Sequence, residues 1–130
     1  MIRFVSTRDK NGPSCSVSEA LLKGLAPDGG LYVPSVMPKR PDDFTLKEGV
    51  AYAMYQAIRP FFEGDELEND LLEICQSAFN FPVPMKDLGD GKVLLELICG
   101  PTSAFKDFGA RFLAFSMEKL LEIRGEEKTI

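Results

Sequence analysis

The sequence contains no histidine among its 130 residues. Without that side chain, the Ser-His-Asp and Cys-His mechanisms of nucleophilic catalysis are excluded within this chain. A zinc site would also lack one of its commonest ligands. The composition therefore predicts no metal centre, and any catalytic nucleophile must be of another kind.

Cysteine is scarce, and its spacing carries no motif. Cys15, Cys75 and Cys99 form no CxxC pair. The N-terminal stretch MIRFVSTRDKNG lacks the apolar core of a signal peptide. An odd number of cysteines without an export signal is typical of reduced thiols. We therefore expect a cytoplasmic location.

Long apolar runs and basic runs are both missing. No stretch approaches the ~20 apolar residues that a transmembrane helix requires. The net charge is −5, and the 15 basic residues are spread along the chain. A negative chain without a basic patch is a poor partner for nucleic acid or for an anionic membrane. We therefore predict neither partner.

The first third of the chain predicts short elements joined by turns. RFVS (3–6) and LYV (31–33) are candidate strands. Ser16 and Glu19 have the spacing of a capping box, which opens a short helix that Gly24 would end. The sequence PDGG between that helix and the second strand predicts a tight turn, because glycine adopts positive φ without steric cost.

Two amphipathic helices and a hairpin follow. Thr45 and Glu48 form a second capping-box pattern, and the helix they open would close at Gly64. Asp65 and Glu68 would open the next helix. Asp-Gly at 90–91 predicts a β-hairpin between two strand-like runs.

The end of the chain predicts a strand, a buried helix and the start of another strand. VLLELI (93–98) is apolar at almost every position, as in a strand buried on both faces. A helix capped by Thr102 or Ser103 would run to about Arg124, and its first turns have almost no polar face. The run 128–130 begins a further strand. This order predicts an α/β fold, and we expect the chain to be the front part of a longer protein.

Lys106 is unusual because it lies near the positive end of this apolar helix. One interpretation is structural: Asp107 and Arg111 pair across one turn, and the lysine extends to solvent. The other is chemical. Burial and the helix dipole would lower the pKa of the lysine, and a neutral amine forms a Schiff base with an aldehyde.

The segment CGPTSAFKDFGARFLA (99–114) resembles the pyridoxal phosphate (PLP) lysine segment of threonine synthase, a fold-type II PLP-dependent lyase. STR (6–8), VSEALLKGLAPDGGLYVP (17–34) and LLELICGPT (94–102) are similar to the opening region of the same family, in the same order. The resemblance implies a small α+β N-terminal domain (1–90) followed by the incomplete start of the PLP-binding α/β domain (91–130).

By this resemblance, Lys106 is the catalytic and cofactor-binding lysine that forms a Schiff base with PLP. The implied reaction converts O-phosphohomoserine and water into L-threonine and phosphate. The resemblance assigns further roles around that lysine. Thr102 and Ser103 would cap the helix; Phe105, Phe108 and Phe112 would be core; and Ser6, Thr7 and Arg8 would line the substrate end.

Two features separate the chain from the family pattern. Cys99 stands where the family usually has histidine, and the loop that holds the PLP phosphate would follow Ile130. We therefore expect the 130-residue chain alone to be inactive. Two alternatives remain: a related phospho-lyase, or a truncated non-catalytic paralogue that binds a partner. In a truncated chain, the apolar helix that follows Ser103 would expose a face that the rest of the sheet normally covers, and this face would favour dimerisation or aggregation.

Overall fold

A computed structural model describes residues 1–126, and within them the chain forms four helices and four short strands. In chain order these are β1 (Phe4–Ser6), α1 (Val17–Lys23), β2 (Tyr32–Pro34), α2 (Val50–Phe62), α3 (Leu71–Ala78), β3 (Met85–Gly89), β4 (Lys92–Leu95) and α4 (Asp107–Arg124). This is the mixed α/β composition that the sequence predicts. The strand expected at 128–130 lies outside the described residues.

The N-terminal part is a small antiparallel sheet with a helix beside it. β1 pairs with β2 so that Val5 faces Val33. The predicted capping box is confirmed: the Glu19 N–H donates to Ser16 Oγ (3.2 Å), and the Ser16 N–H donates to the Glu19 carboxylate (3.0 Å). Gly24 ends α1 with φ of 69°, a conformation that glycine adopts easily.

The hydrophobic core lies among the four helices. α3 packs between α2 and α4, and α1 contacts α4. One cluster joins these elements: Val17, Phe62, Leu67, Leu71, Ile74, Cys75, Ala78, Phe79 and Leu120. Cys75 is fully buried there, and burial raises the pKa of its thiol to about 12. That thiol is therefore a core group rather than a nucleophile.

Helices α2 and α3 begin later than the sequence predicts. Thr45 and Glu48 do not open α2, since the Thr45 N–H donates to Gln56 Oε1 (2.9 Å) and Thr45 Oγ1 accepts from the Lys47 N–H (3.2 Å). Asp65 does not open α3. Its carboxylate instead accepts from the Ser18 hydroxyl and from the Ser18 N–H (3.2 Å), which ties the turn before α3 to α1.

The Asp-Gly hairpin is confirmed, but the burial predicted for its second strand is wrong. β3 and β4 pair antiparallel, and Asp90 and Gly91 both have positive φ (52° and 72°). Every residue of β4 is exposed. The reason is topological: within residues 1–126, β4 pairs with β3 alone. The predicted domain boundary at 90/91 falls at the turn of this hairpin and stays a prediction.

The described residues contain neither a membrane-spanning helix nor a metal-binding cluster. No helix between residues 1 and 126 is long and apolar enough to cross a bilayer. In the same part of the chain, no three cysteine, aspartate or glutamate side chains are grouped so as to hold a metal ion.

Candidate functional site

The segment before α4 is a series of turns rather than the first part of a helix. α4 begins at Asp107, and Lys106 is its N-cap residue. The predicted caps, Thr102 and Ser103, therefore lie upstream of the helix. Ser103 has a positive φ of 57°, which is incompatible with a helical start at this residue.

Asp107 holds these turns against the helix. Its carboxylate accepts from the Thr102 N–H (2.9 Å) and from the Thr102 hydroxyl (2.7 Å), and the residue is only 5% exposed. The Thr102 hydroxyl is the main cause that lowers the pKa of Asp107 below its ordinary value. A carboxylate at the first position of a helix also interacts favourably with the helix dipole.

Gly100 is the second element of this arrangement. A Cβ added there would lie only 2.8 Å from Asp107 Cβ and 2.9 Å from its carboxyl carbon. No side chain fits at that distance unless Asp107 or Gly100 moves. Gly100 thus allows the turn to close on Asp107.

Lys106 is exposed, as the structural interpretation predicts, and the burial on which the chemical interpretation relied is wrong. Among the described residues, its ammonium group has no hydrogen-bond or ion-pair partner. Its backbone carbonyl accepts the first hydrogen bond of the helix, from the Ala110 N–H at 2.9 Å. The site therefore presents an accessible primary amine on a backbone that is fixed by its neighbour Asp107.

Arg111 does not pair with Asp107, and the structural interpretation of this pair is also wrong. Its guanidinium donates to the carbonyls of Ser77 and Ala78, both at 2.8 Å, and to Asn80 Oδ1 at 2.9 Å. These acceptors lie at the end of α3. Arg111 therefore joins α4 to α3, and the Asp107 carboxylate binds Thr102 instead.

The three phenylalanines at this end of α4 have different environments. Phe108 and Phe112 pack against the core, as predicted. Phe105 is 68% exposed, and for this residue the core assignment is wrong. It borders an open groove of about 530 Å³ between α2 and the hairpin. Most groove residues are apolar: Leu46, Gly49, Val50, Ala53, Met54, Val83, Met85, Leu95, Leu97, Phe105 and Phe108.

The polar residues after β1 bind the tight turn before β2. Ser6 Oγ donates to the Asp28 carboxylate (2.8 Å), and Arg8 donates to the Asp28 carbonyl (2.8 Å). Thr7 Oγ1 accepts from the Leu31 N–H (3.0 Å). These contacts give the three residues a structural role, and a place at the substrate end stays a prediction.

The sequence reasoning missed the role of Asp107. It placed this residue in an ion pair four positions along the helix, whereas the contact is to Thr102, five positions upstream. An aspartate that follows a Gly-Pro-Thr turn at short range is a signal for such a contact, because Thr and Asp side chains commonly bond nearby backbone and side-chain groups.

The chain belongs to the threonine synthase family and corresponds to its N-terminal part. The family described as "Threonine synthase N terminus" matches residues 3–79. The threonine synthase of Pseudomonas aeruginosa is 35% identical over 99% of this chain, and that of Escherichia coli K12 is 33% identical over 97%.

Solved structures agree with this placement. A PLP-bound threonine synthase from Brucella melitensis superposes with a TM-score of 0.85 and 32% identity over 98% of this chain. Threonine synthase from Escherichia coli gives a TM-score of 0.72 and 33% identity over 95%. The chain spans 29% of the length of the Pseudomonas and Brucella proteins.

Proposed function

We propose that this chain is the N-terminal region of a PLP-dependent threonine synthase, in which Lys106 carries the cofactor. The overall reaction would convert O-phosphohomoserine and water into L-threonine and phosphate. The observation that carries the proposal is the exposed Lys106 amine at the start of α4, which has no partner among residues 1–126, in a chain that resembles a PLP-bound threonine synthase over 98% of its length.

The residues present fit the aldehyde end of the cofactor. An accessible primary amine is the group that attaches PLP covalently in PLP-dependent enzymes. When bound, PLP supplies an electron sink for bonds at the carbons of the substrate. In this chain, Lys106 would hold the cofactor and move protons at its ε-nitrogen. Asp107 and Thr102 would hold the backbone from which that lysine extends.

We further propose that residues 1–130 alone do not turn over substrate. Among residues 1–126, the site offers an anchoring amine, and the two polar side chains nearest to it in the turn are already paired: Thr102 and Asp107 bind each other. The reaction also requires groups that bind the phosphate of PLP and that of the substrate. The same chemistry would suit a related phospho-lyase, and assays of a longer protein with O-phosphohomoserine distinguish the two.

The proposal is tested by trapping the cofactor on the protein. The chain is incubated with PLP, reduced with borohydride and digested, and pyridoxyl-lysine is located by mass spectrometry. We expect enrichment of the label at Lys106 and its loss in Lys106→Ala. Lys92→Ala, which removes another exposed lysine, should leave the Lys106 label unchanged. Label spread evenly over the exposed lysines would contradict the proposal.

The apolar groove beside Phe105 supports a second candidate property, self-association of this chain. Leu46, Met85 and Phe105 are each at least two-thirds exposed (68%, 70% and 68%) and line the same groove. Contiguous apolar surfaces of this kind mark interaction sites or aggregation liabilities. The proposed occupant is a second copy, which would use its own exposed hairpin and groove.

Sedimentation velocity tests this association. We expect Leu46→Asp to shift the chain toward monomer, because a carboxylate in the contact would lose its hydration. Leu31→Asp is the matched control, since Leu31 is 62% exposed but does not line the groove. A wild-type chain that stays monomeric at high concentration contradicts the proposal.

The state of the three cysteines supports a proposal about the cellular compartment of the protein. Cys15, Cys75 and Cys99 are free, and Cys15 and Cys75 are buried. Free thiols are typical of reducing compartments. We therefore propose a cytoplasmic location for the protein, which fractionation of cells that express it would test.

A further inference from the structure

We propose that Asp107 is a positioning residue for Lys106: its carboxylate ties Thr102 back to the start of α4 and so sets the direction in which the lysine leaves the backbone. The inference rests on the proposed function, because it concerns the residue assigned to carry PLP. It deepens that function by assigning the neighbouring acidic residue a role that neither composition nor spacing revealed.

Hydrogen bonds hold the backbone on both sides of Lys106. The two bonds from Thr102 to the Asp107 carboxylate span residues 102–107, so they close a short loop that contains Lys106. The Ser103 N–H also donates to the Gly100 carbonyl (3.0 Å), just before the loop, and the Asp107 N–H donates to the Ala104 carbonyl within it (3.1 Å). The backbone on both sides of the lysine is therefore held by hydrogen bonds.

The side chains of Asp107 and Lys106 have opposite environments. Asp107 is 5% exposed, whereas Lys106 is exposed and unpaired among the described residues. A lysine side chain has four rotatable bonds, and no contact of its own restrains it here. Its placement then depends on the backbone, and the backbone depends on Asp107. A 1 Å misplacement of a catalytic group can cost about 100-fold in rate.

Gly100 lies directly against Asp107. A Cβ added at Gly100 would lie 2.8 and 2.9 Å from Asp107 carbon atoms, so a larger residue fits only if Asp107 or Gly100 moves. The glycine at this position, the threonine two residues later and the aspartate thus form one closed contact. We call Gly100, Thr102 and Asp107 the lysine clamp.

Two variants weaken the bonds of the lysine clamp with little change in shape. Asp107→Asn replaces the charged acceptor with a neutral amide, whose one remaining oxygen still accepts, and Thr102→Val removes the hydroxyl. Thr102→Ser restores the hydroxyl and serves as the conservative rescue. Asp70→Asn is the matched control: Asp70 is the N-cap of α3, and its side chain makes no capping hydrogen bond.

The first readout is the ratio of borohydride-trapped PLP at Lys106 to that at the other lysines of the same sample. We expect Asp107→Asn and Thr102→Val to lower this ratio by about fivefold, the equivalent of one lost hydrogen bond. Thr102→Ser and Asp70→Asn should keep the wild-type ratio. Far-UV circular dichroism and thermal unfolding establish that each variant is folded.

The second readout does not involve the cofactor. Amide hydrogen exchange at Thr102 should become about fivefold to tenfold faster in Asp107→Asn, because its N–H loses a charged acceptor. This arm reports on the lysine clamp even when no PLP is present.

The outcomes separate the two proposals. If Lys106 in the wild-type chain traps no more PLP than the other exposed lysines do, the proposed function is overturned, and with it the inference. A raised wild-type ratio that Asp107→Asn leaves unchanged overturns the inference alone. Unchanged exchange at Thr102 in that variant also overturns it, whatever the labelling shows.

Discussion

The helical core and the segment from residue 85 to residue 106 are held in different ways. In the core, α3 lies between α2 and α4, and Leu67, Cys75 and Leu120 are fully buried. In the segment 85–106, Gly100 is the one buried residue, and the hairpin exposes both of its strands. The candidate catalytic residue, Lys106, lies at the end of this exposed segment.

This difference separates the part of the chain that stabilises the fold from the part that contains the candidate site. The family match covers residues 3–79, which include most of the core cluster. The exposed segment depends instead on local devices, namely the Asp-Gly turn of the hairpin and the lysine clamp. Substitutions in the core should therefore unfold the chain, whereas substitutions in the segment should change the lysine and leave the fold intact.

The largest effect is expected from truncation in the core. Leu71 is 1% exposed, and Leu71→Ala should lower the free energy of unfolding by about 3 kcal/mol, because it removes buried methyl groups and leaves a cavity. Leu94 in β4 is 45% exposed, and Leu94→Ala should change it by less than about 0.5 kcal/mol. Urea denaturation followed by circular dichroism measures both.

If Leu71→Ala unfolds the chain completely, Ile74→Val provides a milder test at a residue that is 2% exposed. It should cost about 1 kcal/mol. Equal losses for Leu71→Ala and Leu94→Ala would remove the distinction between the two regions.

A smaller effect is expected at the link between α4 and α3. Arg111→Ala should lower the free energy of unfolding by about 2 kcal/mol, because three acceptors at the end of α3 lose a charged donor. Arg111→Lys should lower the free energy of unfolding by a similar amount, since the ammonium group of lysine lacks the planar fork of donors. Arg59→Ala is the control: Arg59 pairs with the exposed Asp43 at 3.1 Å, and such pairs contribute less than about 1 kcal/mol. Chemical denaturation distinguishes the two, and an equal cost would contradict the role of Arg111.

Next in size is the cap of α1, which lies outside both regions. Ser16→Ala should cost about 1 kcal/mol, because the Glu19 N–H loses its acceptor. Ser35→Ala, at an exposed position after β2, should be close to neutral. Thermal unfolding of the two variants checks the prediction, and a neutral Ser16→Ala would show that the reciprocal Glu19 contact suffices.

Local patterns of the sequence predicted the devices that depend on neighbouring residues. Ser16–Glu19, the Asp-Gly hairpin and the glycine end of α1 were all predicted, because each is decided by a few adjacent side chains. The helix starts at Thr45 and Asp65 were predicted wrongly. Asp65 binds Ser18, 47 positions away in the sequence, and no local pattern contains that information.

The site shows the same limit. The resemblance assigns the cofactor to Lys106, which stays a prediction, and the expectation of a buried lysine rested on the apolar composition of the following helix. Burial depends on what packs against a surface, and among residues 1–126 nothing covers Lys106 or Phe105. The contact of Arg111 with α3 is equally non-local, since it joins residues 33 and 34 positions apart.

The last effect is confined to the lysine clamp and concerns its pH dependence. The Thr102 hydroxyl and N–H lower the pKa of Asp107, so the folded state holds the ionised carboxylate more strongly than the unfolded state does. Any stabilisation from this carboxylate is therefore complete above the ordinary carboxyl pKa of about 3.9 and is lost as the pH falls through the lower folded value.

An NMR titration of the Thr102 amide should give a midpoint below that ordinary value, and Thr102→Ser should retain it. Thr102→Val should move the Asp107 midpoint upward, because the largest cause of the shift is removed. The carboxylate of Asp28, whose pKa is lowered chiefly by the Gly30 N–H and then by Ser6, should titrate unchanged in the same variant. A Thr102 amide that follows a midpoint at or above the ordinary value would mean that Asp107 does not hold this turn in solution, and the exposed segment would then lack the device that distinguishes Lys106 from any surface lysine.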